Sequence, residues 1–256
     1  MTKPIALVSN DDGINSAFLH ALANAHAEHF DIYVCAPAAE QSWAGRSFSR
    51  HGDVSVVKRD DLPWPAWAID GTPSDAVNIG LSALLPKRPD LIVSGINVGF
   101  NVTLPLVLTS GTVAAAVEGA LWGIRSVAYS QAVAPKYFEE VKRLEGHLDG
   151  PVGTARDQAA KRAGQISQTI MDQAHSVGTV HNVNFPAALN ASTAIERTTL
   201  GQMRLGGLFE ETEGVYRFRF PKQPERLDGE EQTDMKCLER GHISHTKLDL
   251  SAFGRS

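Results

Sequence analysis

The chain has 256 residues, 43% hydrophobic and 21% charged, with a formal net charge of -5. That supplies material for a sizeable core and excludes a disordered chain. The mild acidity, with no long run of Lys or Arg, argues against a nucleic-acid polymer or an anionic membrane as partner, so an anionic substrate would need local positive charge.

In chain order, residues 5–9 read as a buried strand and 15–29 as a helix with Phe18, Leu22 and Ala25 on one face. Residues 32–36 form the next strand, closed by Pro37, and 54–57 and 67–69 are short strand candidates. Thr72-Pro73-Ser74-Asp75 is a helix start, with Thr72 as cap, Pro73 in the first turn and Asp75 as the capping-box acid. That helix is expected to run to about Leu85. A strand at 91–94, an Ala-rich helix at 112–122 and a strand at 126–130 come next. Alternating helices and continuous apolar strands imply an α/β fold, a mostly parallel sheet covered on both faces. Residues 154–174 carry a helical period and 179–185 a strand. Beyond about Ala191 the pattern changes. At 215–220 it alternates, with Tyr216, Phe218 and Phe220 on one face, and 241–248 is a further strand candidate. The expected division is a catalytic core over 1–190 and a hairpin or arm over 191–256 serving oligomerisation.

Sheets of this kind bind ligands at the carboxyl ends of their strands. Three polar clusters stand at such ends: Asn10-Asp11-Asp12-Gly13, Glu40-Gln41-Ser42 and Gly95-Ile96-Asn97. Adjacent carboxylates repel unless something neutralises them, and one divalent cation, magnesium or manganese, is the natural neutraliser. An Asp cap on a turn explains one of the two acids and leaves the second unexplained. Ser42 and Asn97 supply neutral oxygens for such a site. Thr109-Ser110-Gly111-Thr112 opens the Ala-rich helix, where free amides and the helix dipole favour an anion, although an ordinary cap fits nearly as well. Upstream, Asn101 can donate to a phosphate oxygen.

Other chemistries lack their signatures. The first strand is followed by neither Gly-x-Gly-x-x-Gly nor Asp-x-Asp, and the chain has no P-loop. His26 and His29 read as solvated helix positions. His242 and His245 lie three apart on a strand and face opposite ways, so no histidine is assigned a metal. Cys35 and Cys237 form no disulfide framework, and Cys35 reads as a small buried hydrophobe. The N-terminal apolar run is too short for a signal peptide and no stretch matches a membrane span, so the expected location is the cytoplasm.

Taken together, Val8-Ser9-Asn10-Asp11-Asp12-Gly13, Gly71-Thr72-Pro73-Ser74-Asp75, the run from Pro89 to Asn97, Ser110-Gly111-Thr112-Val113 and Asn182-Val183-Asn184-Phe185-Pro186 resemble the SurE family of nucleotidases. Thr233-Asp234 with Gly241 also fits. The resemblance implies a Rossmann-like three-layer core, a divalent metal, hydrolysis of nucleoside 5'- or 3'-monophosphates, and homodimers or homotetramers built through the C-terminal arm. It implies Asp11, Asp12, Ser42 and Asn97 as metal ligands, and Asn101 with Ser110, Gly111 and Thr112 beside the phosphate. Asp11, Asn101 and Ser110 are the expected catalytic residues, with Asp11 either activating a water or attacking phosphorus itself. The chain departs from the family in carrying Trp43 where a glycine commonly comes after the ligand serine, and Val102-Thr103-Leu104-Pro105 after Asn101. The competing functions are a phosphatase for another small ester and a metal- or nucleotide-binding protein without turnover.

Overall fold

Strand β1 (Ile5–Ser9) is buried along its whole length. Its side chains serve two cores: Ala6 and Val8 pack with Phe18 and Leu22, whereas Leu7 packs with Cys35, Val77 and Ile92. A strand covered on both faces has no outward polar positions, so it reads as an unbroken apolar run. The computed structural model describes residues 3–221, 224–227, 229 and 232–253.

Beside β1 lie β2 (Asp31–Pro37), β3 (Val56–Lys58), β4 (Ala66–Ile69), β5 (Leu91–Val98), β6 (Arg125–Gln131), β7 (Thr179–Phe185) and β8 (Ile195–Thr198). Three elements stand apart from the main sheet: the short β9 (Met203–Arg204), the hairpin of β10 (Phe209–Thr212) and β11 (Val215–Phe218), and β12 (Glu225–Arg226), which pairs with β9. The last strand, β13 (Ile243–Asp249), returns to the sheet, whose order is β3-β4-β2-β1-β5-β6-β7-β13-β8. From β4 to β7 all pairings are parallel, and β3 and β13 run antiparallel to their inner neighbours. Strand order reverses between β1 and β5, and a crevice at such a switch point is where open α/β sheets hold ligands.

On one face α1 (Ala17–Ala27) and the long α6 (Gly150–Asp172) share a core with the sheet, through Phe18, Leu22, Ala163 and Ile166 among others. The opposite face carries α2 (Pro73–Ile79), continued by a π-helical turn over Gly80–Leu84, and α4 (Gly111–Leu121). Thr72 and Asp75 form the expected capping box. Shorter helices α3 (Leu104–Thr109), α5 (Pro135–Arg143) and α7 (Asp234–Glu239) complete the fold.

Three expectations change. The strand expected at 91–94 runs on to Val98, because pairing with β6 resumes at Asn97 after an irregularity, so Asn97 sits within the strand. The 191–256 stretch divides: the β10–β11 hairpin stands apart, and β13 is built into the sheet between β7 and β8. His26 is fully buried instead of solvated. It lies one turn beyond Leu22 on the apolar face of α1, and its Nδ1 bonds the Leu22 carbonyl and its Nε2 the Ser167 hydroxyl, both at 2.8 Å. A carbonyl only accepts, so Nδ1 carries the proton and Nε2 accepts from Ser167. The other two strand-region histidines are satisfied locally, His245 by His181 at 2.8 Å and His242 by Glu196.

Burial depresses the His26 pKa to about 4, while the unfolded chain titrates near 6.5. The unfolded state therefore takes up the proton first. The stability contributed by the neutral imidazole is present above pH 6.5 and is lost as pH falls towards 4. Between pH 7 and pH 5 this group is expected to remove about 2 kcal/mol. Urea unfolding at both pH values checks it: His26→Gln should lose less on acidification than the parent, whatever its stability at pH 7.

Candidate active site

The turn after β1 is closed by Asn10, whose Nδ2 donates to the Gly13 carbonyl at 2.9 Å. It brings Asp11 under the N-terminus of α4. Ser110 caps that helix, its Oγ accepting from the Val113 amide at 3.1 Å. Gly111 is required by contact: a Cβ there would stand 2.8 Å from the Asp11 Cβ and 3.0 Å from the Pro73 ring. Thr112 directs both hydroxyl and amide to the Asp11 carboxylate. The helix end expected to face a phosphate thus first serves Asp11. The Asp11 carbonyl in turn accepts from the Gln41 amide at 2.8 Å, which draws the Ser42 loop against β1.

Asp12 has partners of its own, both from the cavity wall. Its Oδ2 accepts from the Val98 amide at 2.8 Å and its Oδ1 from Lys142 Nζ at 2.7 Å. The same ammonium reaches Glu40 at 2.7 Å, and Ser42 donates to Glu40 at 2.6 Å. Asn101 is held from three sides. Its amide N–H donates to Asn184 Oδ1 at 2.8 Å, its carbonyl accepts from Asn182 at 2.7 Å, and its own Nδ2 donates to Ser130 at 2.9 Å. Asp234, fully buried, accepts from the amides of Thr103 and Gly201 at 2.8 and 2.9 Å and pins the loop after Asn101.

Asp11, Ser42, Asn97, Asn101 and Ser110 line one cavity of about 480 Å³, with Glu40 and Lys142 also on its wall. Asp12, Gly111 and Thr112 lie outside that lining. Burial first, and then the charge of Asp12, push the Asp11 carboxyl up to about 7 against the pull of Thr112 and Lys142. Burial works against the Lys142 charge, but Asp12 and Glu40 more than offset it and hold its pKa above the usual lysine range. The same hydrogen bonds from Lys142 and Ser42 outweigh burial at Glu40 and depress its pKa.

The donors suit a hard divalent cation. Two carboxylates, an amide and a hydroxyl are all oxygen ligands, and the raised Asp11 pKa marks a corner short of positive charge. Among the described residues no three His, Cys, Asp or Glu side chains are grouped so as to hold a metal ion, so a cation here needs the neutral oxygens of Asn97 and Ser42 as well. Lys142, its link to Glu40 and the support of Asn101 by Asn182 and Asn184 escaped the sequence reading. The asparagines were visible as an Asn-x-Asn pair on one strand face; Lys142 left no local signal.

Fold and cavity together define a doubly wound α/β protein with an acidic cavity at its switch point. The family model for Survival protein SurE matches residues 6–206, and the chain belongs to the SurE family. It is similar to the 5'-nucleotidase SurE of Methanospirillum hungatei JF-1, 34% identical over 98% of this chain and 88% of that protein. The 5'-nucleotidase SurE of Archaeoglobus fulgidus is 33% identical over 96% and 92%. The crystal structure of the SurE protein from Aquifex aeolicus superposes with a TM-score of 0.77 at 27% identity, covering 96% of this chain and 94% of that one.

Proposed function

We propose that the protein is a phosphoric monoester hydrolase that depends on one divalent ion, magnesium or manganese, and releases phosphate from nucleoside 5'-monophosphates, with 3'-monophosphates as further substrates. The observation that carries this is the meeting of Asp11, Asn97, Asn101 and Ser110 in one cavity at the switch point. The 5'-nucleotidase relatives support the substrate class.

Asp11, Asp12, Asn97 and Ser42 hold the cation, which when bound supplies charge neutralisation at phosphate and a lower pKa for a water. Asp11 orients the attacking water and accepts its proton. The water oxygen bonds to phosphorus as the ester P–O bond breaks, and the leaving nucleoside oxygen takes up a proton. Asn101 and Ser110 donate to the remaining phosphate oxygens, preorganised by Asn184, Ser130 and the helix cap. Gly111 and Thr112 act through Asp11, the first by admitting it and the second by bonding it.

Both cysteines are free and buried, as a reducing cytoplasm allows. Among the described residues no helix is long and apolar enough to cross a membrane. Leu108, Leu121 and Phe253, all exposed along one apolar cavity, support assembly into a homodimer or homotetramer.

Phosphate release from AMP, GMP and an aryl phosphate, with manganese or magnesium and after chelation, tests the reading. Turnover of the nucleotides that disappears with chelation is expected. Equal turnover in chelator would remove the metal, and turnover of the aryl ester alone would remove the nucleotide. Metal-dependent AMP binding without turnover would leave a binding protein.

A further inference from the structure

The cavity wall combines two kinds of side chain. Among the polar residues stand Trp43, Phe100, Phe138, Phe218 and Phe220, all on the wall and all at least a third exposed. Trp43 lies 4.8 Å from Phe218 and 6.0 Å from Phe220 between ring centroids, within the range of favourable aromatic pairs. The two phenylalanines belong to the strand end of the hairpin and the residues just after it, some 175 positions further along the chain.

Trp43 has a left-handed backbone, φ 65°. That conformation is costly for a bulky side chain and persists only where the surroundings over-determine it. They do so here. Gly45 donates its amide to the Thr109 carbonyl at 2.9 Å, and Arg46 pairs at 2.7 Å with the buried Glu118, itself bonded by Asn78 and Trp122. The loop that places Ser42 on the cavity wall therefore fixes the next residue, Trp43, on the same wall.

We propose that Trp43, backed by Phe218 and Phe220, is a specificity-determining stacking wall for the heterocyclic ring of a nucleotide whose phosphate lies beside Asp11. The proposal rests on the phosphatase reading for the position of the phosphate. Broad flat side chains across a cavity of about 480 Å³ favour a planar ring over a bare sugar. The wall carries little hydrogen-bonding capacity, so it selects for ring area, purine above pyrimidine, and tolerates changes of exocyclic group.

The test compares AMP with ribose 5-phosphate, the same ester without its base. The parent protein is expected to favour AMP, and Trp43→Ala to lower kcat/KM on AMP roughly tenfold or more through KM, leaving ribose 5-phosphate within twofold. Trp43→Phe should restore most of the loss, and Phe218→Ala should repeat it from the hairpin. Equal losses on both esters, or none on AMP, would overturn the wall while leaving the phosphatase intact. If neither ester turns over, the phosphatase reading fails, and calorimetric binding of the same two compounds decides the wall. Tighter binding of AMP that Trp43→Ala abolishes supports it; equal binding of both overturns it.

Discussion

Asp11→Asn is expected to cut nucleotide hydrolysis on the order of 10³-fold while leaving the metal-free protein more stable than its parent. Asn is nearly isosteric, and its Oδ1 can still accept from the Thr112 hydroxyl that bonds Asp11. The substitution removes a buried negative charge that stands beside a second one. Burial, followed by Asp12, raises the Asp11 pKa to about 7 from the ordinary 3.8. With a raised carboxyl pKa, folding is most favourable below the unfolded value and loses stability as pH climbs through the folded one. At pH 8 in chelator, Asp11→Asn should show the higher Tm; at pH 4 the two proteins should converge. A variant that is inactive and less stable would reveal a structural carboxylate, and one that is stable and fully active would remove Asp11 from the chemistry.

Gly95→Ala is expected to cost about 4 kcal/mol or more, enough to prevent folding of a marginally stable chain. Gly95 lies in β5 with φ 128°, a region closed to side chains, and a Cβ there would sit 2.2 Å from the Tyr129 carbonyl oxygen of β6. Neither strand can yield, since both are central to the sheet and Tyr129 is wholly buried. The neighbouring substitution Ser94→Ala is the control. Its hydroxyl is buried without a hydrogen-bond partner in the fold, so its removal should be close to neutral in urea unfolding. A mild Gly95→Ala would mean that β5 and β6 pair more loosely than their register implies.

The strands and the clusters at their ends were legible because burial on both faces leaves an apolar run and the sheet gathers the residues at the end of each run. Asp11, Ser42 and Asn97 came to one cavity on that rule, joined by Asn101 from a loop and Ser110 from a helix start. The misses have physical causes. The period of α5 was readable, with Tyr137, Phe138 and Val141 on one face, but a helical period does not show which distant acid Lys142 reaches. The Lys142–Asp12 pair spans 130 positions, and no local pattern encodes it. His26 was readable: it falls four residues after Leu22 on the apolar face of α1, and a polar residue type obscured the period. Thr112 looked like a free anion donor because a sequence does not show that Asp11 is the nearer acceptor. The place of β13 within the sheet depends on pairing with β7, whose residues are distant in the chain, as in the Ser244–Asn184 and Asp249–Thr179 partners.

The hairpin of β10 and β11 is solvent-exposed at every position and stands outside the main sheet. Changes there cost the folded state little, whereas almost any change around Asp11 or Gly95 disturbs packed neighbours. Lineages are therefore free to drift at Phe218 and Phe220, trading one preferred compound for another, while the hydrolytic corner stays under tight constraint. Innovation in such a scaffold is easiest at the rim.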